Sequence, residues 1–331
     1  MIVSRAPVRF SLGGGGTDLP GYAERFGGYV VSAAIDKYIY VTANKRFHRD
    51  IRLAYSKTEI AHSVDQIEHR IFREAMRFVG TTSPMELHSL ADVPSNTGLG
   101  SSSSFTVALL NGLHAFKREF VGTEQLAHEA CHIEIGVLQE PIGKQDQYIA
   151  AYGGITAFTF DKDGSVHAER LPVKEDVIDE LESSLLIFYS GVERSASAVL
   201  SEQAKTVKAN KDDAVTRMHR IKAMGYETKK LLLDGNVDAY GELLHEHWMN
   251  KRKLASNMTD SVIDEHYDAA LQAGAIGGKL MGAGGGGFFM FYVRPTERRK
   301  VYETLVARGL RPMRFRFDFD GARIVANFHR S

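Results

Sequence analysis

Glu134 and Asp146 lie twelve residues apart in the stretch EIGVLQEPIGKQDQYIAAYGG. A helix and the loop after it can bring two such carboxylates together. One can then bind a metal ion while the other accepts a proton. Solvated surface acids fit the same spacing, so the pair means little alone. A second stretch, PSNTGLGSSSSF from Pro94 to Phe105, sets Gly98 and Gly100 before four serines and the apolar run FTVALL. The glycines permit a tight turn and clear side chains from its inner face. The serines open a helix, whose free N–H groups and dipole attract an anion. Serine hydroxyls also suit magnesium, a hard cation that prefers oxygen. A flexible loop ending in a serine N-cap fits the same letters. A Walker loop is excluded, because no Gly-Lys-Ser/Thr follows.

Two other motifs are louder and weaker. GAGGGG, Gly282 to Gly287, matches the dinucleotide fingerprint in form but runs into FFMFYV, which reads as a strand. That fingerprint must follow a strand and open a helix. A glycine-rich loop packed against a substrate or another backbone fits better. HEACH, His128 to His132, matches the zinc-protease pattern, with His128 and His132 as ligands and Glu129 as base. The longer form of that motif needs a glycine and a third histidine where this chain has Ile135 and Leu138. A zinc hydrolase is therefore kept only as an alternative.

The elements that must position these residues follow from periodicity. Val8, Phe10 and Leu12 alternate with polar residues as in a strand, and Ile39–Ala43, Ile51–Ala54, Met85–Leu90, Ile155–Phe160, Leu185–Tyr189 and Phe288–Val293 also read as extended. Helices are predicted over Ile67–Val79, Ser102–Lys117 and Glu124–Leu138, through much of the second half up to about Ala273, and after Pro295. Arg314–Phe319 and Arg323–Phe328 read as a closing hairpin about Asp320-Gly321. Strands and helices alternate without a strict βαβ rhythm, which favours an α+β sandwich over a doubly wound sheet. The polar stretch Asp161–Asp179 is the expected domain boundary, dividing the chain into 1–172 and 173–331.

Composition narrows the function. The 331 residues carry 41 Lys plus Arg against 41 Asp plus Glu, so no bulk field draws nucleic acid or an anionic membrane. Cys131 is the only cysteine, so no intrachain disulfide forms, as suits a reducing compartment. The start MIVSRAPVRF lacks a signal-peptide core, and no apolar run nears the roughly 18 residues of a membrane helix. A cytoplasmic protein is expected, and the composition does not fix its oligomeric state.

Taken together, APVRFSLGGGGTD, PSNTGLGSSSSF and KLMGAGGGGFF resemble, in order, the three motifs of the GHMP small-molecule kinases, and the resemblance covers nearly the whole chain. The spacing of Glu134 and Asp146 also resembles the galactokinase pattern within that family. The resemblance implies an α+β, two-domain architecture: a ribosomal S5 domain 2-like ATP-binding domain, then a ferredoxin-like domain, with the substrate between them. It implies ATP and Mg2+ as cofactors. Asp146 matches the residue that takes the proton of the substrate hydroxyl, and Arg9 the cation beside the transferring phosphoryl group. Pro94, Asn96, Gly98, Leu99, Gly100, Ser101, Ser102 and Ser103 match the ATP phosphate loop. Glu134 matches the magnesium ligand, with Ser102 or Ser103 as the second. Asp18 matches a sugar-binding aspartate, and Gly15, Gly16, Thr17, Gly284 and Gly285 lie in substrate-facing motifs.

Galactokinases carry G-E-H-T-D where this chain has Gly14-Gly15-Gly16-Thr17-Asp18, which speaks against galactose. That start and the stretch Gly27-Gly28-Tyr29-Val30 resemble the D-glycero-D-manno-heptose 7-phosphate kinases and the fucokinases. The first implies phosphorylation of the anomeric hydroxyl to a 1,7-bisphosphate for nucleotide-heptose and surface-polysaccharide synthesis. Arg194 and Lys251, with Arg252 and Lys253, are candidate contacts to a phosphate already on the substrate, since Arg and Lys suit such contacts. A fucokinase-like enzyme is one alternative, and a sugar and ATP sensor without turnover is another.

Overall fold

The computed structural model describes residues 1–192, 212–254, 259–282 and 284–328. Among them, no helix is long and apolar enough to cross a membrane. Among the described residues the mixed α/β fold is built on two sheets, the first of eight strands and the second of four.

The first strand, Ile2–Gly13, shows how alternation builds the site. Val8, Phe10 and Leu12 enter the main core, while Arg9 and Ser11, in the opposite phase, line a cavity. This strand pairs antiparallel with Gly28–Lys45, far longer than the Ile39–Ala43 read from the sequence. The long strand serves further neighbours. Gly28–Ala33 pairs with strand Ile155–Phe160, and Ile39–Lys45 pairs with Met85–Ala91. Helices Ser101–Lys117 and Gln145–Tyr152 pack against the first two strands. Val107, Leu109, Leu110 and Leu113 of the longer helix join the same core.

The second sheet is antiparallel, in the order Arg311–Met313, Leu185–Tyr189, Phe288–Tyr292, Gly277–Leu280. Both of its faces are covered, which explains its unbroken apolar runs. Ile187, Phe288, Met290 and Tyr292 belong to the main core. Leu186, Phe188, Phe289 and Phe291 join a second cluster with Trp248, Tyr267 and Leu305. The helices Val237–Lys251, Ser261–Ala273 and Arg298–Ala307 supply those last three residues.

Three sequence expectations change. The closing hairpin does not form. Arg311–Met313 joins the second sheet, and Arg323–Asn327 returns to pair with Ile2–Arg5 of the first. Between them, Arg314–Phe319 is a crossing segment. Phe315 and Phe317 are buried in it, and the Asp318 carboxylate accepts from the N–H groups of Asp320 and Gly321. A division after residue 172 therefore leaves one strand of the later segment in the first sheet. The predicted helix Glu124–Leu138 is α-helical over Thr123–Cys131 and π-helical over His132–Val137. Last, Asp146 sits in the first turn of helix Gln145–Tyr152 rather than in a loop. Eight residues are too few to show a helical period in the sequence.

Candidate active site

Beside the first strand lies a cavity of about 280 Å³. It gathers most of the residues singled out above: Arg9, Gly15, Gly16, Asp18, Asn96, Gly98, Gly100, Ser101, Ser102, Ser103, Glu134, Asp146 and Lys251.

Arg9 and Asp146 form a bidentate pair, with the Nε and Nη2 of Arg9 each donating to one carboxylate oxygen at 2.7 Å. Arg9 Nη1 donates to the carbonyl of Gly98, and the Arg9 amide to that of Leu99. One strand residue thus fixes both the carboxylate and the glycine turn. Gly98 (φ 81°) and Gly100 (φ 76°) are left-handed, where glycine carries no side-chain penalty. At Gly100 a Cβ would come 3.1 Å from an Asp146 oxygen. The helix that follows is pinned to the first strand by Ser104, whose hydroxyl donates to the Pro7 carbonyl at 2.8 Å.

Glu134 stands in the π-helical turn, 1% exposed. Its carboxylate accepts from Ser102 Oγ at 2.9 Å and from Gln147 Nε2 at 2.7 Å. Burial pushes Glu134 up to about 7, against the hydrogen bonds from Gln147, Ser102 and Ser103. A magnesium ion fits this donor set. It keeps waters and binds phosphate oxygens, so it needs only one or two protein ligands, and those of hard oxygen. Glu134 and Ser102 offer two inside the cavity. Among the described residues, no three His, Cys, Asp or Glu side chains converge as a closed metal site would require.

Asp18, in the same cavity, is 3% exposed. It accepts from the amides of Gly16 and Gln145 at 3.1 Å and from Gln145 Nε2 at 3.2 Å. Burial raises its pKa, and those hydrogen bonds oppose the rise. Ser11 Oγ, on the same face of the strand as Arg9, lines the cavity without a hydrogen-bond partner.

Several expected residues serve elsewhere. The Thr17 hydroxyl is buried and donates to the carbonyls of Gly14 and Tyr29, clamping the turn instead of lining the cavity. The Leu99 side chain is wholly buried in the core, and Pro94 is exposed, its carbonyl accepting from Thr97 Oγ1. Gly284 and Gly285 are buried off the cavity, and Gly282 lines it in their place. In the late glycine cluster, Gly282 and Gly287 pack closely on the Thr97–Gly98 turn. A Cβ at Gly282 would stand 2.4 Å from Gly98 Cα, and one at Gly287 2.2 Å from the Thr97 carbonyl. Arg252 pairs with Asp264 at 2.8 Å, Lys253 is exposed, and Arg194 lies outside the described residues. In the zinc-like motif, Glu129 is buried and accepts from His114 and Gln125, while His128 and His132 are exposed. The carboxylate that a zinc hydrolase would use as base is thus tied into the core.

Sequence reasoning missed Ser11, Gln145 and Gln147. Their signals were a place two residues after Arg9 in a strand and places on either side of Asp146.

Residues 60–154 match the profile of the GHMP kinases N terminal domain, and residues 228–310 that of the GHMP kinases C terminal domain, together more than half of the chain. The chain is 28% identical to a D-glycero-alpha-D-manno-heptose 7-phosphate kinase of Campylobacter jejuni, over 92% of this chain and 93% of that one. It is 24% identical to an L-fucokinase/L-fucose-1-P guanylyltransferase of Bacteroides fragilis, over 94% of this chain but 37% of that larger protein. The solved structure of a D-glycero-D-manno-heptose 1-phosphate kinase from Bacteroides thetaiotaomicron superposes with a TM-score of 0.83 and 28% identity, covering 99% of this chain and all of the other. With both domain profiles matched in order and its length shared with sugar kinases, the chain belongs to the GHMP kinases, phosphotransferases that take ATP as donor and an alcohol as acceptor.

Proposed function

We propose that this sugar kinase transfers the γ-phosphoryl group of ATP to the anomeric hydroxyl of D-glycero-D-manno-heptose 7-phosphate. The convergence of the Arg9–Asp146 pair, Glu134 and the Gly98–Ser103 loop in one cavity carries the phosphoryl-transfer chemistry. The full-length likeness to a heptose 7-phosphate kinase supports the acceptor. The product, a sugar 1,7-bisphosphate, is a substrate for later nucleotide activation toward surface polysaccharide.

In this reading the anomeric oxygen bonds to the γ-phosphorus as the bond from phosphorus to the ADP oxygen breaks. The proton goes to Asp146. Each Asp146 oxygen already accepts from Arg9 but keeps a lone pair for the sugar hydroxyl. Little covalent work is asked of the protein, so positioning and charge stabilisation dominate. Arg9 offsets charge on the transferring group while holding Asp146 in place. Glu134, with Ser102 or Ser103, would hold Mg2+, which when bound neutralises the β- and γ-phosphates. Gly98–Ser103 receive the phosphates on free N–H groups at the helix start. Asp18, aligned by Gln145, meets the sugar hydroxyls.

A kinetic panel of heptose 7-phosphate, free heptose, L-fucose and galactose tests the acceptor. The expected preference, in kcat/KM, for the phosphorylated heptose over the free sugars is about tenfold to over a hundredfold, the worth of a charge-assisted contact. Equal efficiency on free and phosphorylated sugars would overturn it in favour of a fucokinase-like enzyme.

A further inference from the structure

Lys251 ends the helix Val237–Lys251 and reaches the cavity from the second half of the chain. It is 8% exposed, and its ammonium donates to the carbonyl of Gly282. Among the described residues it has no carboxylate within ion-pair distance. A buried cation held by one peptide carbonyl is costly to keep. Other basic groups surround it. The strongest charge acting on Lys251 is Arg9, opposed by Asp18 and Asp146. Lys279 is 3% exposed and donates to the Leu12 carbonyl at 3.3 Å. His247 is 2% exposed, and neither ring nitrogen has a partner. Both lie within electrostatic reach of Lys251. Burial, then Arg9, pulls Lys251 down to about 8. Burial and these basic neighbours all work against the charge on Lys251, and an anion entering the cavity offsets them.

The position of Lys251 says which anion. Gly282, which accepts from it, packs directly on Gly98 of the phosphate loop. Gly98 in turn accepts from Arg9, and Arg9 is paired with Asp146. Lys251 therefore enters at the reacting end. The 7-phosphate of a heptose is carried on the exocyclic arm at C5, several bonds from the anomeric oxygen, so a cation at the reacting end and a clamp on the 7-phosphate are different roles.

We propose that Lys251 is a further catalytic residue: it contacts the γ-phosphoryl group as that group passes from ATP to the sugar. The proposal rests on the kinase reading but not on which sugar is the acceptor. As the new oxygen–phosphorus bond forms and ADP departs with the electron pair, charge on the equatorial oxygens meets two cations, one from each half of the chain. The sequence expectation that Lys251 clamps a phosphate already on the sugar predicts different kinetics.

The test compares wild type, Lys251→Met and Lys251→Arg in two assays. The first is turnover across the sugar panel with ATP and Mg2+. The second is binding of ADP with Mg2+, with and without aluminium fluoride, a mimic of the transferring phosphoryl group. Lys251→Met is expected to lower kcat about 100- to 1000-fold on every sugar the wild type turns over, as loss of an oxyanion-stabilising donor does elsewhere. Its KM values and ADP affinity stay within about threefold, and the tightening of ADP by aluminium fluoride is lost. Lys251→Arg restores part of kcat and of the tightening. Retained ADP binding establishes that the variants fold. Unchanged kcat with intact aluminium fluoride tightening would overturn the proposal, and so would a loss confined to phosphorylated sugars. If the wild type turns over no sugar in the panel, the acceptor assignment fails, and the aluminium fluoride comparison still decides the role of Lys251.

Discussion

Glu129 and Glu134 sit five residues apart on one helical run, and both are buried. Glu129 belongs to the louder zinc-protease pattern, and Glu134 to the quieter spacing with Asp146. Burial alone would raise Glu129, but His114 and Gln125 bond to it and hold it below the usual carboxylate range. Glu134 has no cation within ion-pair distance among the described residues; its bonds come from Ser102 and Gln147, and burial wins. One acid is saturated by its neighbours, and the other is left wanting a positive charge. Two histidines at the right spacing say little. What separates a structural acid from a working one is whether the fold supplies its counter-charge or leaves that to a ligand.

The largest effect expected on the working side falls on Asp146, which shares the cavity with Glu134. Asp146→Asn is expected to lower kcat about 100- to 10,000-fold while ATP affinity stays near wild type. A variant keeping more than about a tenth of wild-type kcat, with chemistry limiting, would remove Asp146 as the essential base. Next comes Glu134→Gln. It should raise the Mg2+ concentration for half-maximal activity by roughly 10- to 100-fold, the usual scale for a disturbed metal site. A magnesium titration unchanged by the substitution would erase the distinction between the two glutamates.

The smallest effects belong to the structural side. His128→Ala should leave kcat within about twofold, as for an exposed residue outside the chemistry. Glu129→Gln should spare kcat but cost stability on the order of 1–3 kcal/mol, the price of a broken buried hydrogen bond. That loss depends on pH. Burial lowers His114, but its bonds to Glu129 and Glu119 prevail and raise it above its ordinary 6.5. Glu129 is held below 4.5. The charged pair therefore stabilises the fold most between about pH 4.5 and 6.5. Its contribution fades as pH rises through the raised value of His114, or falls through the lowered value of Glu129. Melting curves of wild type and variant should differ most near pH 5.5 and draw together as pH rises through the raised value of His114.

Much of the cavity was legible because its glycines and serines cluster in three places, each with a physical demand. Alternation in the first strand set Arg9 against the core residues Val8 and Phe10, so its direction could be read from period two. Gln145 and Gln147 were not legible. Helix Gln145–Tyr152 is too short to show a period, and amides announce no chemistry until their partners are known. The hairpin about Asp320-Gly321 failed for another reason. Turn chemistry was present, as Asp318 shows, but which sheet each flanking segment joins is a long-range choice that local letters do not encode. Lys251 was found for its charge alone, and only its burial beside Gly282 marks it as part of the cavity.

The return of Arg323–Asn327 to the first strand bears on how the protein is made. Until that segment leaves the ribosome, Ile2–Arg5 is the open border of a growing sheet, with unpaired peptide groups able to recruit another chain. The strand carrying Arg9 therefore gains its outer neighbour only after the other strands of its sheet have been made. Completing this sheet therefore depends on a contact between stretches far apart in sequence, the kind that forms slowly.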